Sequence, residues 1–285
     1  MRDFLMSRRA RLAPEAAGIP AHGRRRVPGL RREEVAELAQ VSTEYYVQIE
    51  RGRLAGISND VLGRIADALQ LCEVERRHFA NLARNLRGSR AVAAECVIEH
   101  RVPRGIQTLM ELSEHTASVI MTPRLDLIAS NRRGRALFAP VLGSEHETPG
   151  NPKPNAARFA FLDERSREFC RDWEAAADSI VALMLLEWGR SPHDVILGGL
   201  ITRLLDESPE FGRRWVEHSV IANMRVAQRF RHPDLGDIEL HFETLEIPGS
   251  GGLVMLNFFA APGDPAAAKL ELLKTKSAPA KAGAG

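Results

Sequence analysis

The chain has 285 residues, enough for two ordinary domains, and its 44% hydrophobic and 27% charged residues give a globular balance. Its three cysteines, Cys72, Cys96 and Cys170, are far apart and in no metal-ligand spacing. They argue against a disulfide framework or a metal site and for a reduced, cytoplasmic protein. No apolar run approaches the roughly 18 residues of a membrane helix, and early arginines interrupt any signal sequence, so no membrane partner is expected.

The formal charge of +2 conceals an asymmetry. Residues 1–90 carry 17 Arg against 11 acidic residues, whereas the remainder carries 22 Lys+Arg against 26. A basic first third on a mildly acidic body points to an anionic partner at that end.

In chain order, residues 1–13 predict a short helix with Phe4, Leu5 and Leu12 inward and its arginines outside. Pro14, Gly18 and Pro20 break it, and the basic loop "HGRRRVPGL" follows at 22–30. Helical patterns run over about 31–39, 42–51, 58–70 and 74–87, Ser58 being placed to cap the third. A connecting helix can follow at 91–100. "SVIMT" (118–122) and "RLDLIASN" (124–131) read as two strands, followed by a short helix near 132–139 and a Pro/Gly-rich loop at 143–155. Residues 165–188 predict one long helix with Phe169, Trp173, Ala176, Ala177, Ile180, Met184 and Trp188 on a broad apolar face. Helices at about 193–206 and 209–218 precede a hairpin formed by 238–247 and 253–260. The tail "KSAPAKAGAG" has nothing to bury and reads as disordered. The expected layout is a helical domain over 1–90, a linker over 91–103, an α+β domain with a mostly antiparallel sheet over 104–274, and a tail over 275–285.

"EEVAELAQVSTEYYVQIERG" at 33–52 is the most informative stretch. Two amphipathic helices joined over two or three residues must cross steeply, which requires a small residue where they approach; Ala36 supplies it. Val35, Ala39, Val41, Tyr46 and Ile49 fall on the inner side, and Ser42 can cap the second helix. Gln40 takes the turn position often held by glycine, tolerable if its φ is not far above zero. Thr43, Glu44, Tyr45, Val47 and Gln48 are left facing outward, where side chains of a recognition helix meet base edges. Ser42, Thr43, Glu44, Tyr45 and Gln48 are the expected base contacts. Gln48 can pair with adenine, Thr43 can offer its methyl to thymine, and Glu44 can accept from cytosine or serve the helix dipole instead. Arg24, Arg25, Arg26, Arg31, Arg51 and Arg53 are the expected phosphate contacts, with one or two of Arg24–Arg26 able to enter a minor groove instead.

"YYVQIERG" followed by "ISNDVLGRIADALQL" is the arrangement of the Cro/repressor-like, lambda-repressor-like helix-turn-helix domain. More narrowly, "GRRRVPGLRREEVAELAQVSTEYYVQIERGR" resembles the DNA-binding domain of the MmyB-like transcriptional regulators, of the XRE type. The resemblance continues through "RLDLIASN", "FLDERSREFCRDWE", "SPEFGRRWVEH", "RFRHPDLGDIELHFETLEIPG" and "APGDPAAAKLELL", covering about residues 1–274. It implies a PAS-like second domain that binds a small apolar, fatty-acid-like ligand. One helix-turn-helix domain has a small footprint, so a homodimer on a double-stranded operator is expected, and no cofactor is. Residues expected at such a pocket are Trp173, Ala177, Ile180, Met184, Trp188, Met224, Phe242 and Met255. Arg124, Asn131 and His218 stand at family landmarks and can meet a polar head group, though Asn131 can equally cap the helix after it. "NMRVAQRF" and "LNFF" depart from the family's pattern, which leaves ligand choice open.

Two other readings exist. In one, the second domain only dimerises or docks a protein partner. In the other the chain is an enzyme, for which the sequence offers only Cys96 and His100 one helical turn apart, and a "GSGG" that precedes a strand and reads better as a turn. A non-enzymatic regulator is the expected class.

Overall fold

The structure, a computed structural model, describes residues 1–19, 29–54, 56–87, 100–143, 153–218, 227–261 and 263–273. The chain forms two compact units. Unit 1 comprises residues 1–95, 181–198 and 212–222; unit 2 comprises 96–180, 199–211 and 223–285. Among the described residues no helix is long and apolar enough to cross a membrane.

In unit 1, α1 (Arg2–Arg11) is followed by a 3-10 turn and then α2 (Arg32–Leu38), α3 (Thr43–Glu50), α4 (Asn59–Ala68) and α5 (Glu73–Leu86). Cap chemistry fixes the starts. Ser42 Oγ accepts from Tyr45 N at 3.1 Å and Ser58 Oγ from Val61 N at 3.3 Å. α2 ends in a left-handed cap, with Gln40 at φ 53° and Val41 N donating back to Ala36 O at 2.9 Å. Gln40 therefore sits well inside the region that favours glycine, farther than the sequence reading allowed. Gln70 repeats the geometry after α4, with φ 50° and Leu71 N donating to Ala66 O. Leu30, Val35, Ala36, Ala39, Tyr46, Ile49 and Ile65 are buried together, while Val41 is only half-buried. Gly29 permits the chain to cross α1, because a Cβ there would lie 2.2 Å from Arg9 O.

The arginines of α1 are not all outside. Arg8 is buried, forms an ion pair with Glu75, and donates to His218 O at 2.5 Å. A buried guanidinium is tolerable only with such partners.

Unit 2 is built on a five-stranded antiparallel sheet in the order β2-β1-β5-β4-β3, with β1 (Ala117–Met121), β2 (Leu127–Ser130), β3 (Ala227–His232), β4 (Gly236–Glu246) and β5 (Val254–Phe259). The expected hairpin is β4–β5, with His241 opposite Phe259 and Glu246 opposite Val254. β3 is an addition to the sequence reading. Its alternation is obscured by Gln228, Arg229 and Arg231, yet Phe230 pairs with Ile238 and is buried.

The remaining helices are α6 (Arg104–Leu112), α7 (Arg132–Leu137), α8 (Ala139–Leu142), α9 (Ala156–Leu162), α10 (Arg165–Phe169), α11 (Trp173–Arg190), α12 (Val195–Glu207), α13 (Pro209–Glu217) and α14 (Pro265–Leu272). The single helix expected over 165–188 is two. Cys170 is extended and bridges to Phe230, and Arg171 N donates to Arg229 O, so sheet pairing takes the backbone groups that a continuous helix would use. Met110, Ile120, Ile247 and Leu253 form one core cluster of unit 2. Phe138, Phe169, Phe230 and Phe258 form another, with ring centroids 5.1–6.4 Å apart. The connecting segment through 99 and the tail from 274 lie outside the described residues.

Candidate functional site

The turn between α2 and α3 decides which side chains α3 presents. With Tyr46 and Ile49 at 0% exposure, the helix is fixed against the core along one side. Ser42, Glu44 and Gln48 are then exposed, and Thr43, Tyr45 and Val47 are half-exposed at the margins. Four of the expected base contacts, Thr43, Glu44, Tyr45 and Gln48, thus lie on an eight-residue helix, and Ser42 is its N-cap. Glu44 lies in the first turn, where its charge also complements the helix dipole.

A buried carboxylate anchors the inner side. Glu50 is 2% exposed, receives Arg32 Nε at 2.6 Å, and lies 3.4 Å from Arg9 Nε. Burial and the neighbouring Glu50 charge raise the pKa of Tyr46, keeping the phenol neutral. This group was not evident in the sequence, although an acidic residue at an inward helical position beside two arginines is the signal that could have found it.

Arg31, Arg51 and Arg53 are exposed, and none makes an ion pair among the described residues. Arg31 is the N-cap of α2, where its backbone N–H donates to Glu34 Oε2 at 2.7 Å. Arg24, Arg25 and Arg26 lie outside the described residues.

The residues expected at a ligand pocket fall into separate groups. In unit 2, Trp173 and Ala177 share a cluster with Cys170, and Trp173 Nε1 donates to Ala160 O at 3.0 Å. Phe242 stacks on Phe258 at 5.4 Å, and Met255 packs on the cluster of Ile120 and Leu253. Ile180 is half-buried. Asn131 caps α7: its Oδ1 accepts from Gly134 N at 2.7 Å and Ser118 N at 3.0 Å, and its amide donates to Thr116 O at 2.8 Å. Those bonds commit the side chain to the scaffold. Arg124 is half-buried, and its carbonyl accepts from Asn155 Nδ2 at 2.8 Å.

Met184, Trp188 and His218 belong instead to unit 1. Met184 is fully buried and Trp188 half-buried. His218 lies 5.9 Å from His78, centroid to centroid, and both rings pack on Phe4. Gly189 makes room for His78, since a Cβ there would approach its ring to 2.6 Å. Burial holds His78 near pKa 3 and His218 near 4, and nearby positive charge pushes the same way. Met224 lies outside the described residues.

A separate cleft of about 400 Å³ opens in unit 2, lined by residues of the α6 approach, by Leu127 and Ile128, and by Lys153. The sequence reading did not single it out, because its basic residues are scattered over some 50 positions. Among the described residues no group of three His, Cys, Asp or Glu side chains could hold a metal ion.

Comparison with known families gives two matches along the chain. Residues 5–79 match the model of a helix-turn-helix domain, and residues 102–273 match that of the MmyB-like transcription regulator ligand binding domain. A DNA-binding helix-turn-helix followed by a ligand-binding domain defines a ligand-responsive transcription regulator. The second match spans more than half of the 285 residues, and the chain belongs to the MmyB-like transcription regulators. No curated protein matches it.

Proposed function

We propose that the protein is a cytoplasmic, sequence-specific regulator that binds its operator as a homodimer and adjusts that binding to a small apolar, fatty-acid-like ligand. The observation that carries the DNA reading is the outer surface of α3, where Ser42, Glu44 and Gln48 are exposed while Tyr46 and Ile49 are fully buried. Thr43, Glu44 and Gln48 read bases in the major groove, with Ser42 and Tyr45 beside them. Arg31, Arg51 and Arg53, with Arg24–Arg26 of the basic loop, hold phosphates. A single such domain has a small footprint, so two copies on half-sites about one helical turn apart supply the specificity. The helical part over 1–90 reads DNA and the part over 104–274 senses ligand, in a PAS-like fold that the five-stranded antiparallel sheet supports.

An acyl chain gains about 0.8 kcal/mol per buried CH₂, so an apolar slot needs few polar contacts. A ligand that favours one dimer geometry by about 1–3 kcal/mol changes operator affinity roughly 5- to 150-fold. The test is twofold: denaturing mass spectrometry of the purified protein for a bound acyl compound, and operator titration with and without a long-chain carboxylate. A co-purifying lipid and a shifted operator affinity are expected. No lipid and an indifferent titration would remove the ligand part and leave the DNA part standing. That outcome would favour the second reading, a domain that only dimerises or docks a protein. The burial of Trp173 and Ala177 in one cluster, each at most 7% exposed, is the observation on its side.

A further inference from the structure

We propose that the cleft at the start of α6 is a binding site for a small phosphate-bearing molecule. Its volume, about 400 Å³, lies within the range of small-molecule sites. Arg101, Arg104 and Lys153 line it. Among the described residues none of these three side chains has an ion pair or a hydrogen-bond partner. Several other arginines of unit 2 are paired: Arg165 meets Asp163, Arg203 meets Glu207, Arg229 meets Asp172, and both Arg171 and Arg231 meet Asp237. Three cations around one concavity, with no carboxylate among its described lining residues, raise a local positive potential that a bound anion relieves.

Two further features lie at the same place. α6 begins after Pro103 with no side-chain cap. The first-turn bonds that form are Ile106 N and Gln107 N to Pro103 O, which leaves the N–H groups of Arg104 and Gly105 for an anion. His100, also in the lining, has a buried Nδ1 with no hydrogen-bond partner. Burial first, and the charges of Arg124 and Lys153 with it, hold its pKa below the usual imidazole range, against a backbone hydrogen bond with Ser250 and the charge of Asp126.

The charge count selects the ligand class. A monocarboxylate neutralises one of three cations, whereas a phosphate monoester carries about −1.5 to −2 at neutral pH and offers three acceptor oxygens. Val102, Leu127 and Ile128 give the remainder of the molecule an apolar wall. The same chemistry could come from a soluble phosphate ester or from a lipid head group.

The test is calorimetric titration of the full chain, free of DNA, with inorganic phosphate, with glycerol phosphate, and with vesicles containing phosphatidic acid. Glycerol phosphate is expected to bind with Kd below about 1 mM, and the double variant Arg101→Gln/Arg104→Gln to weaken it at least roughly tenfold. Lys153→Gln should weaken it by a smaller factor. Arg53→Gln, on the DNA-reading unit, should leave it unchanged, which separates this site from phosphate affinity at the helix-turn-helix. Binding of vesicles alone, lost in the double variant, keeps the site and assigns it to a lipid head group. No binding of any probe at that concentration, or binding indifferent to the double variant in a protein of unchanged urea midpoint, overturns the proposal. Operator binding of the double variant, measured separately, is expected to be that of the parent.

Discussion

The outer surface of α3 and the aromatic interior of unit 2 are both populated at helical spacing, yet the spacing means opposite things in the two places. On α3, removing the inward positions Tyr46 and Ile49 leaves exposed Glu44 and Gln48 with half-exposed Thr43, Tyr45 and Val47 beside them, and that remainder is where function can sit. In unit 2, the periodic residues Trp173 and Ala177 are themselves the packing, with the indole hydrogen-bonded to Ala160 O. A helical stripe therefore locates a reading surface by subtraction. It does not by itself distinguish a ligand cavity from a filled core.

The largest effect that sharpens this contrast is at Trp173. Trp173→Ala should cost about 3–5 kcal/mol in urea unfolding, as for other buried aromatic truncations. A cost near zero, with ligand binding lost, would place Trp173 in a cavity rather than in the core.

The next effect is acid sensitivity in unit 1. His78 and His218, held near pKa 3 and 4 against an ordinary 6.5, take up protons more readily in the unfolded chain. Their contribution is complete above about pH 6.5 and is lost as the pH falls through 4 toward 3. Arg8 and the N-terminal amine face these rings and push in the same direction, while Asp3 opposes them at His218. His78→Leu should flatten the stability profile between pH 6.5 and 4.5. An unchanged slope would mean that other groups carry it.

On α3 the expected effects are on binding and not on folding. Gln48→Ala should weaken operator binding by about 1–3 kcal/mol and relax discrimination at one base pair, while thermal stability stays within about 0.5 kcal/mol. A large loss of stability would move Gln48 from the reading surface to the core. The smallest effect is at the turn. Gln40→Gly relieves a left-handed residue but loosens the unfolded chain, so it should stabilise by less than about 1 kcal/mol in chemical denaturation.

Much of unit 1 was legible in the sequence because its determinants are local. Ser42 and Ser58 cap within three residues, and Ala36 marks the helix crossing within one motif. Unit 2 was legible as alternating strands but not as a whole, since its decisive contacts are long-range. Phe230 makes β3 a strand through Ile238, and its bridge to Cys170 breaks what reads as one helix into α10 and α11. The Arg8–Glu75 pair joins positions 67 apart, and no periodicity signals that an arginine on an otherwise basic helix turns inward. The cleft beside α6 combines residues from three stretches, none of which is unusual alone.

The most direct measurement is a footprint of the full-length protein on the DNA upstream of its own gene, repeated across a salt series and with Gln48→Ala. A short, symmetric protection is expected, with log affinity falling against log salt by roughly 0.9 per phosphate neutralised, and with contacts weakened in the variant. No protection at low salt, either there or on DNA selected from random sequence, would contradict the assignment of α3 as the reading helix.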